Sequence, residues 1–185
     1  MPVPTIDELL AENMTTDGYA LWLALKAKKF INVWNRSSSS TQKYHIKEDG
    51  SIPTIYQHTH EMLYSFIKIQ TMFGDEPKTK ELDISLLSIA LHDALKYGPE
   101  EANRPHTDKK HDKAMADWIR ENYRVFSRLY SDEQIDRLES AIRYHSGKWS
   151  TNLKENKTPE VFETLNIRVA IVHILDMLST KDCLK

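Results

Sequence analysis

Histidines and aspartates recur along this chain at positions that could hold a metal ion. In chain order the set is His58, the adjacent pair His92-Asp93, His111, His145 and Asp176. Neutral imidazoles and carboxylates together suit divalent transition metals such as Mn, Fe, Co, Ni or Zn, and Mg is compatible. About three of these ligands could hold one ion, and all six could hold two ions that share an aspartate. We therefore expect a metal site that activates water near neutral pH.

His58 lies at the start of the apolar face of a helix predicted over residues 54–73. It precedes Met62 by four residues, and Met62 precedes Phe66 by four, so the three side chains share one face. His60 is rotated by about 200° from His58, at about 100° per residue, and should point elsewhere. Of these two histidines, His58 is the better inward ligand.

Two acidic residues lie in strongly apolar helical patterns. Asp93 follows His92 within a helix predicted over residues 83–97, and Asp176 lies within a helix predicted over residues 159–181. A carboxylate that is ionised and buried without a partner is costly. Each aspartate therefore needs a cation, which could be a Lys or Arg side chain or a bound metal.

The elements that must position these residues are about seven helices, without a convincing strand. The predicted ranges are 5–13, 17–34, 54–73, 83–97, 108–123, 131–145 and 159–181. Thr5 with Glu8, and Ser131 with Gln134, have capping-box spacing, and Asp17 is a candidate N-cap of the second helix. A hydroxyl-rich run at residues 37–41 could be a flexible linker or an ordered loop that meets an anion.

Composition is typical of one compact helical domain. The chain has 185 residues, of which 40% are hydrophobic and only five are glycine. Its net charge of −2 provides no global basic field for nucleic acid. The single cysteine permits no intramolecular disulfide, and neither a membrane span nor a signal peptide is visible. We expect a soluble cytoplasmic protein in which residues 1–50, with the Ser-rich loop, pack on a core formed by residues 51–185.

Several local strings resemble, in order, the HD superfamily of metal-dependent phosphohydrolases. They are QHTHEM, LHDALKYG, HDKAMADW, RYHSGKW and VHILDMLSTK, and the likeness spans roughly residues 52–184. The resemblance implies an all-α, single-domain helical bundle that hydrolyses a phosphate ester or anhydride. The run SSSSTQKYH is similar to a loop in some short members, including phage-encoded ones, so the chain resembles a short phage or bacterial member.

The resemblance also implies roles for individual residues. The first metal would be bound by His58, His92, Asp93 and Asp176. Asp93 would bridge to a second metal held by His111 and His145. Members with two metals often have the later histidines adjacent, whereas Ser146 follows His145 here. His111 and His145 could instead contact phosphate or donate protons beside a single metal.

Basic residues near these positions are candidates for contacts with phosphate. Lys96 would act with Asp93 in catalysis by stabilising phosphate charge, the alternative being a lysine that extends to solvent from a helix end. Arg143 and Lys148 flank His145 and could clamp a phosphate, or be surface charges. If the Ser-rich loop corresponds to the similar loop of those short family members, Lys43 and His45 would also approach the substrate.

These observations favour an enzyme that cleaves a phosphate ester or anhydride of a nucleotide, whether a mono-, tri-, cyclic or dinucleotide. The alternatives are a phosphodiesterase or exonuclease on single-stranded nucleic acid, and a catalytically inactive, metal-stabilised regulatory module. A helical interaction domain with buried salt bridges would need cationic partners for its acids. A small-molecule nucleotide is the expected partner and a membrane is not. The net charge disfavours nucleic acid without excluding it, and a homo-oligomer is left open.

Overall fold

The fold is all-α, as predicted. The computed structural model describes residues 3–27, 34–39, 46–47, 49–74, 77–98, 105–147 and 167–179, with side chains of the last range from residue 170. These residues form eight helices and, apart from one antiparallel bridge, no β-structure. The helices are α1 (Ile6–Asn13), α2 (Thr16–Lys26), α3 (Ile55–Met72), α4 (Lys80–Leu91), α5 (His111–Glu121), α6 (Tyr123–Phe126), α7 (Asp132–Arg143) and α8 (Ile167–Ser179).

Side-chain caps fix several helix starts. The predicted capping boxes of Thr5 and Ser131 are both present, at α1 and α7. The N-cap of α2 is Thr15, which accepts a hydrogen bond from the Gly18 amide at 3.0 Å. The prediction of Asp17 in this role was therefore wrong, because the hydroxyl two residues earlier already takes the cap position.

α4 ends at Leu91, so the predicted continuation of this helix to residue 97 was wrong. From His92 onward the backbone closes tighter turns, in which Lys96 N donates to Asp93 O at 3.0 Å and Gly98 N donates to Leu95 O at 2.8 Å. His92, Asp93 and Lys96 consequently lie on a compact turn. A helix that continued to residue 97 would have placed His92 and Lys96 on one face, and the turn removes that relation.

Other helix boundaries differ from the predictions in ways that affect the candidate site. The helix predicted over residues 108–123 begins at His111 and is followed by the short α6. The helix predicted over residues 131–145 ends at Arg143, which leaves His145 on a turn. The last predicted helix is observed over Ile167–Ser179, and the remainder of its predicted range lies outside the described residues.

α4 is the central helix of the bundle. It packs against α1, α2, α3, α7 and α8, and its residues from Asp83 to Leu91 are all buried. A helix surrounded in this way has to be apolar on nearly every face, as its sequence is. α8 also packs on α3 and α7, so three of the helices that meet at the end of α4 carry or precede candidate ligands. Among the described residues, no helix is both long and apolar enough to cross a membrane.

The first part of the Ser-rich run is held against the bundle. Ser37 pairs with Thr54 in the antiparallel bridge, and Ser38 N donates to Pro53 O at 2.9 Å. The Tyr97 hydroxyl donates to Ser37 O at 2.8 Å. This segment therefore lies between the start of α3 and the turn that carries Lys96.

Candidate metal centre

Four histidine rings converge on Asp93 from different parts of the bundle. They come from α3, the end of α4, the first residue of α5 and the turn after α7. Two groups have ligand atoms within 4.8 Å of one another, and Asp93 belongs to both: His58 with His92, and His111 with His145. Except for His111, which is slightly exposed, these side chains are buried.

Backbone carbonyls orient three of the imidazole rings. The Nδ1 atoms of His92, His111 and His145 lie 2.7 Å from the carbonyl oxygens of Ile89, Asp108 and Ile142, respectively. A carbonyl only accepts hydrogen bonds, so each Nδ1 is assigned the proton. In the neutral ring the Nε2 atom then carries a lone pair, which is the form that binds metals.

The ring of His58 is oriented by a side chain instead. Its Nδ1 lies 2.9 Å from the Ser179 hydroxyl, and that hydroxyl donates its own proton to Asp176 O at 2.8 Å. Ser179 must therefore accept from His58, which places the lone pair on His58 Nε2. This atom lies 3.1 Å from His92 Nε2, whose lone pair is fixed by the same reasoning. Two facing lone pairs repel each other unless a cation lies between them.

Two carboxylates lie at this first group: Asp93, which belongs to it, and Asp176, which approaches one of its histidines. Asp176 Oδ1 lies 3.2 Å from His58 Nε2, and Asp93 Oδ2 lies 3.8 Å from the same atom. Asp93 Oδ2 is also 3.6 Å from His92 Nε2. The Asp176 side chain is 17% exposed, so it is less buried than Asp93, and its carboxylate faces the cluster. The first group is a set of acceptors suited to a divalent cation.

The second group surrounds the other oxygen of Asp93. Asp93 Oδ1 lies 3.1 Å from His111 Nε2 and 3.8 Å from His145 Nε2. The 3.1 Å approach lacks hydrogen-bond alignment, so Asp93 Oδ1 and His111 Nε2 are both buried without a hydrogen-bond partner in the described part of the chain. Buried polar atoms are seldom left unsatisfied. A cation bound by the two atoms would satisfy both, and the donor set therefore fits a metal.

Lys96 supplies a cationic partner for one oxygen of Asp93. Its Nζ contacts Asp93 Oδ2, and its side chain is nearly buried. This is the Lys partner that the non-metal interpretation of Asp93 required. It leaves Asp93 Oδ1 and the facing imidazoles unexplained, so the ion pair alone does not account for the cluster.

Burial and mutual proximity shift the pKa values of this cluster. Burial lowers the pKa of His92 to about 3, so this imidazole stays neutral. Burial and nearby His111 likewise lower the pKa of His145. For Asp93, burial raises the pKa, but the opposing effects of Lys96, His92 and His111 hold it well below its usual value. Burial also opposes protonation of His111, yet the Asp93 carboxylate raises its pKa above the ordinary value.

The predicted substrate-binding residues are only partly described. Arg143 Nη2 lies 2.8 Å from Asp117 Oδ1 and 2.7 Å from Glu139 Oε1, so two carboxylates engage its guanidinium. The other three candidates, Lys43, His45 and Lys148, lie outside the described residues.

Some residues near the centre were missed by the sequence analysis. The Arg36 guanidinium lies 3.7 Å above the Tyr97 ring, beside Lys96, and the buried Ser38 Oγ has no hydrogen-bond partner among the described residues. Ser179 orients His58. Its position three residues after Asp176 is a signal that could have identified it, because this spacing places both side chains on one helical face.

The fold and cluster define a class: an all-α protein with a buried histidine–aspartate centre for divalent metal. The HD domain family model matches residues 55–181, and the chain belongs to this family. HD domains bind divalent metals and are in general metal-dependent phosphohydrolases. No curated protein and no solved structure matches the chain.

Proposed function

We propose that this protein hydrolyses a phosphate ester or anhydride of a nucleotide, using one or two divalent metal ions held around Asp93. The observation that carries the proposal is the buried pair Asp93 Oδ1 and His111 Nε2, which have no hydrogen-bond partner in the described residues. The second support is the 3.1 Å approach of the His58 and His92 Nε2 atoms. Buried ligand atoms held this close to one another are suited to binding a cation.

The residues divide into two ligand sets that share Asp93. The first position would use His58, His92, Asp93 and Asp176, and the second would use Asp93, His111 and His145. A bound divalent metal supplies Lewis acidity and lowers the pKa of a coordinated water to near neutrality. The protein contributes fixed ring orientations and a buried setting, in which charges act more strongly than in water.

Two cations at the edge of the centre suit a phosphate group. Lys96 is positioned to neutralise charge that develops on a phosphoryl oxygen. The Arg36 guanidinium lies above the ring of Tyr97, the residue that follows Lys96. The charge is local, since the chain as a whole carries −2. A small phosphorylated substrate fits this distribution better than a long polyanion, which would favour a broad basic surface.

The test is a screen of the purified, chelator-free protein against several metals and substrates. Metal content is measured first, and phosphate release is then followed with Mn, Fe, Co, Ni or Mg added to mono-, tri-, cyclic and dinucleotides. Oligonucleotides form a separate arm. Turnover of free nucleotides is expected to exceed that of oligonucleotides, and the reverse result would favour the phosphodiesterase alternative.

α3 offers a matched pair of control variants. His58 faces His92, whereas His60 Nε2 lies 2.7 Å from Pro4 O on another side of the same helix. His58→Ala should abolish metal binding at the first position together with activity, and His60→Ala should retain both. A wild-type protein that binds no metal and stays inactive in every combination would overturn the proposal.

A further inference from the structure

His145 is carried by a turn that its own backbone holds weakly. α7 ends at Arg143, and His145 N donates to Ile142 O at a long 3.5 Å. The turn closes when Gly147 N donates to Tyr144 O at 2.9 Å. A ligand on such a turn needs further support if its Nε2 is to keep facing Asp93.

α8 provides that support through His173. Its Nδ1 lies 2.6 Å from the carbonyl oxygen of His145, and since a carbonyl can only accept, His173 donates. The His173 side chain is half-buried and is not in either ligand group. It therefore acts on the backbone of a ligand rather than on the metal position itself.

Gly147 is shaped to receive the His173 ring. A Cβ atom built at Gly147 would overlap the ring at Cε1 and Nε2. Gly147 also has φ of 54°, in the left-handed region that favours glycine. The close packing and the hydrogen bond are two separate contacts by which the same ring fixes the turn.

His173 belongs to a set of three residues on one face of α8. His173, Asp176 and Ser179 follow one another at intervals of three, which places them along the same side of the helix. Ser179 holds the His58 ring, Asp176 faces His58 Nε2, and His173 holds the turn of His145. One helix face thus reaches both halves of the centre.

From these contacts we propose that His173 is a positioning residue for the second metal ion, acting by orienting His145. This inference rests on the proposed metal-dependent function. It predicts that loss of the His173 hydrogen bond weakens the second ion and spares the first, because His58 and His92 are oriented by other groups.

The experiment counts ions and measures their affinities separately. Mn²⁺ is titrated into metal-free protein by calorimetry, and Co²⁺ absorption reports the ligand environment. Wild type should bind two ions. His173→Leu should weaken the second by about 10–100-fold, the usual cost of losing an outer hydrogen bond to a metal ligand. His173→Asn should restore it, because its amide N–H can donate from nearly the same place.

Two further variants isolate the cause. Gly147→Ala should also weaken the second ion, since the added Cβ displaces the His173 ring without removing it. His60→Leu is the matched control: it removes a histidine–carbonyl contact of similar length, 2.7 Å, and should leave both ions bound as in wild type. Circular dichroism is recorded for every variant.

The outcomes are separable. Two ions bound normally in His173→Leu would overturn this inference and leave the proposed function intact, as would a wild type that binds one ion only. A wild type that binds none would overturn the proposed function itself. If His173→Leu and Gly147→Ala both lose their helical signal, His173 supports the fold in general, and the specific positioning role is wrong.

Discussion

Two buried aspartates, Asp83 and Asp93, lie in or just beyond α4 and differ in how their oxygens are satisfied. Asp83 is in the first turn of α4, and Asp93 follows the end of the helix. Both side chains are inaccessible to solvent. Residue type and burial are therefore the same at opposite ends of α4, and the difference that matters lies in the groups that surround each carboxylate.

Asp83 is surrounded by hydrogen-bond donors. Its Oδ1 accepts from the Thr15 amide at 2.8 Å, and its Oδ2 accepts from the Thr15 hydroxyl and, at 3.4 Å, from the Tyr130 hydroxyl. It thereby ties the start of α2 to the core, where the helix dipole also favours a negative charge. Asp93 has one lysine and four histidine Nε2 atoms, which lie 3.1–3.8 Å from its oxygens. A buried carboxylate alone does not indicate a metal, whereas one surrounded by several further metal-ligand atoms does.

The largest expected effect is at Asp93. Asp93→Asn keeps the shape of the side chain but removes the negative charge shared by Lys96 and the proposed metal ions. Activity and metal affinity should each fall by more than about 100-fold, beyond the usual cost of an outer-shell change. The metal-free protein should lose less stability than the same substitution at Asp83 causes, because the lost ion pair with Lys96 is offset in part when the new amide donates to the facing imidazoles.

Metal content, phosphate release and chemical denaturation of the metal-free protein check this prediction together. A metal-free Asp93→Asn protein that loses as much stability as Asp83→Asn, or more, would contradict it. Asp93 would then be a structural acid of the same kind as Asp83.

The next largest effect is expected at Lys96. Lys96→Met retains most of the side-chain volume and removes the charge beside Asp93 Oδ2. We expect kcat to fall by about 10²-fold, the typical loss when one charge-stabilising group is removed, with metal content unchanged. Steady-state kinetics and elemental analysis measure the two quantities. Loss of metal with an unchanged kcat per bound metal would indicate instead that Lys96 only supports Asp93.

The same amide substitution at Asp83 should have the opposite consequences. Asp83→Asn places an N–H₂ group among donors, so at least one buried hydrogen bond is lost. The free energy of unfolding should fall by about 2 kcal/mol, which lowers Tm by about 4–8 °C in a domain of this size. Metal content and activity at low temperature should be retained. Thermal melts and metal analysis test this prediction. An Asp83→Asn protein as stable as wild type would contradict the difference proposed between Asp83 and Asp93.

The sequence predicts the helices and part of the centre, because these depend on local patterns. Four-residue spacing identifies His58 as inward-facing and His60 as not. The two predicted capping boxes, at α1 and α7, follow from hydroxyl and acid or amide spacing. The end of α4 was missed because the apolar pattern continues through Leu95 and Tyr97 while the backbone tightens into turns. Periodicity reports side-chain burial and does not report backbone hydrogen bonding.

Contacts between residues far apart in the sequence account for the features that the sequence analysis missed. In the sequence, nothing distinguishes Asp83 from another acid in an apolar helix, because its partner Thr15 lies 68 residues away. The bond of His173 to the carbonyl of His145 involves a backbone atom, which no side-chain pattern encodes. Ser179 lies 121 residues from His58, although its spacing from Asp176 could have suggested it.

The smallest expected effect is at Ser179, which supports one ligand from outside the cluster. Ser179→Ala removes the acceptor for His58 Nδ1, so the imidazole loses both its tautomer preference and its fixed orientation. Affinity for the first metal should fall by about 10-fold, at the lower end of outer-shell effects, while the second ion binds as before. Competitive Mn²⁺ titration measures the change, and Ser179→Thr, which keeps the hydroxyl, should bind like wild type. Equal weakening of both ions in Ser179→Ala would show that the two halves of the centre are not independently supported, and the contrast between Ser179 and His173 along α8 would then fail.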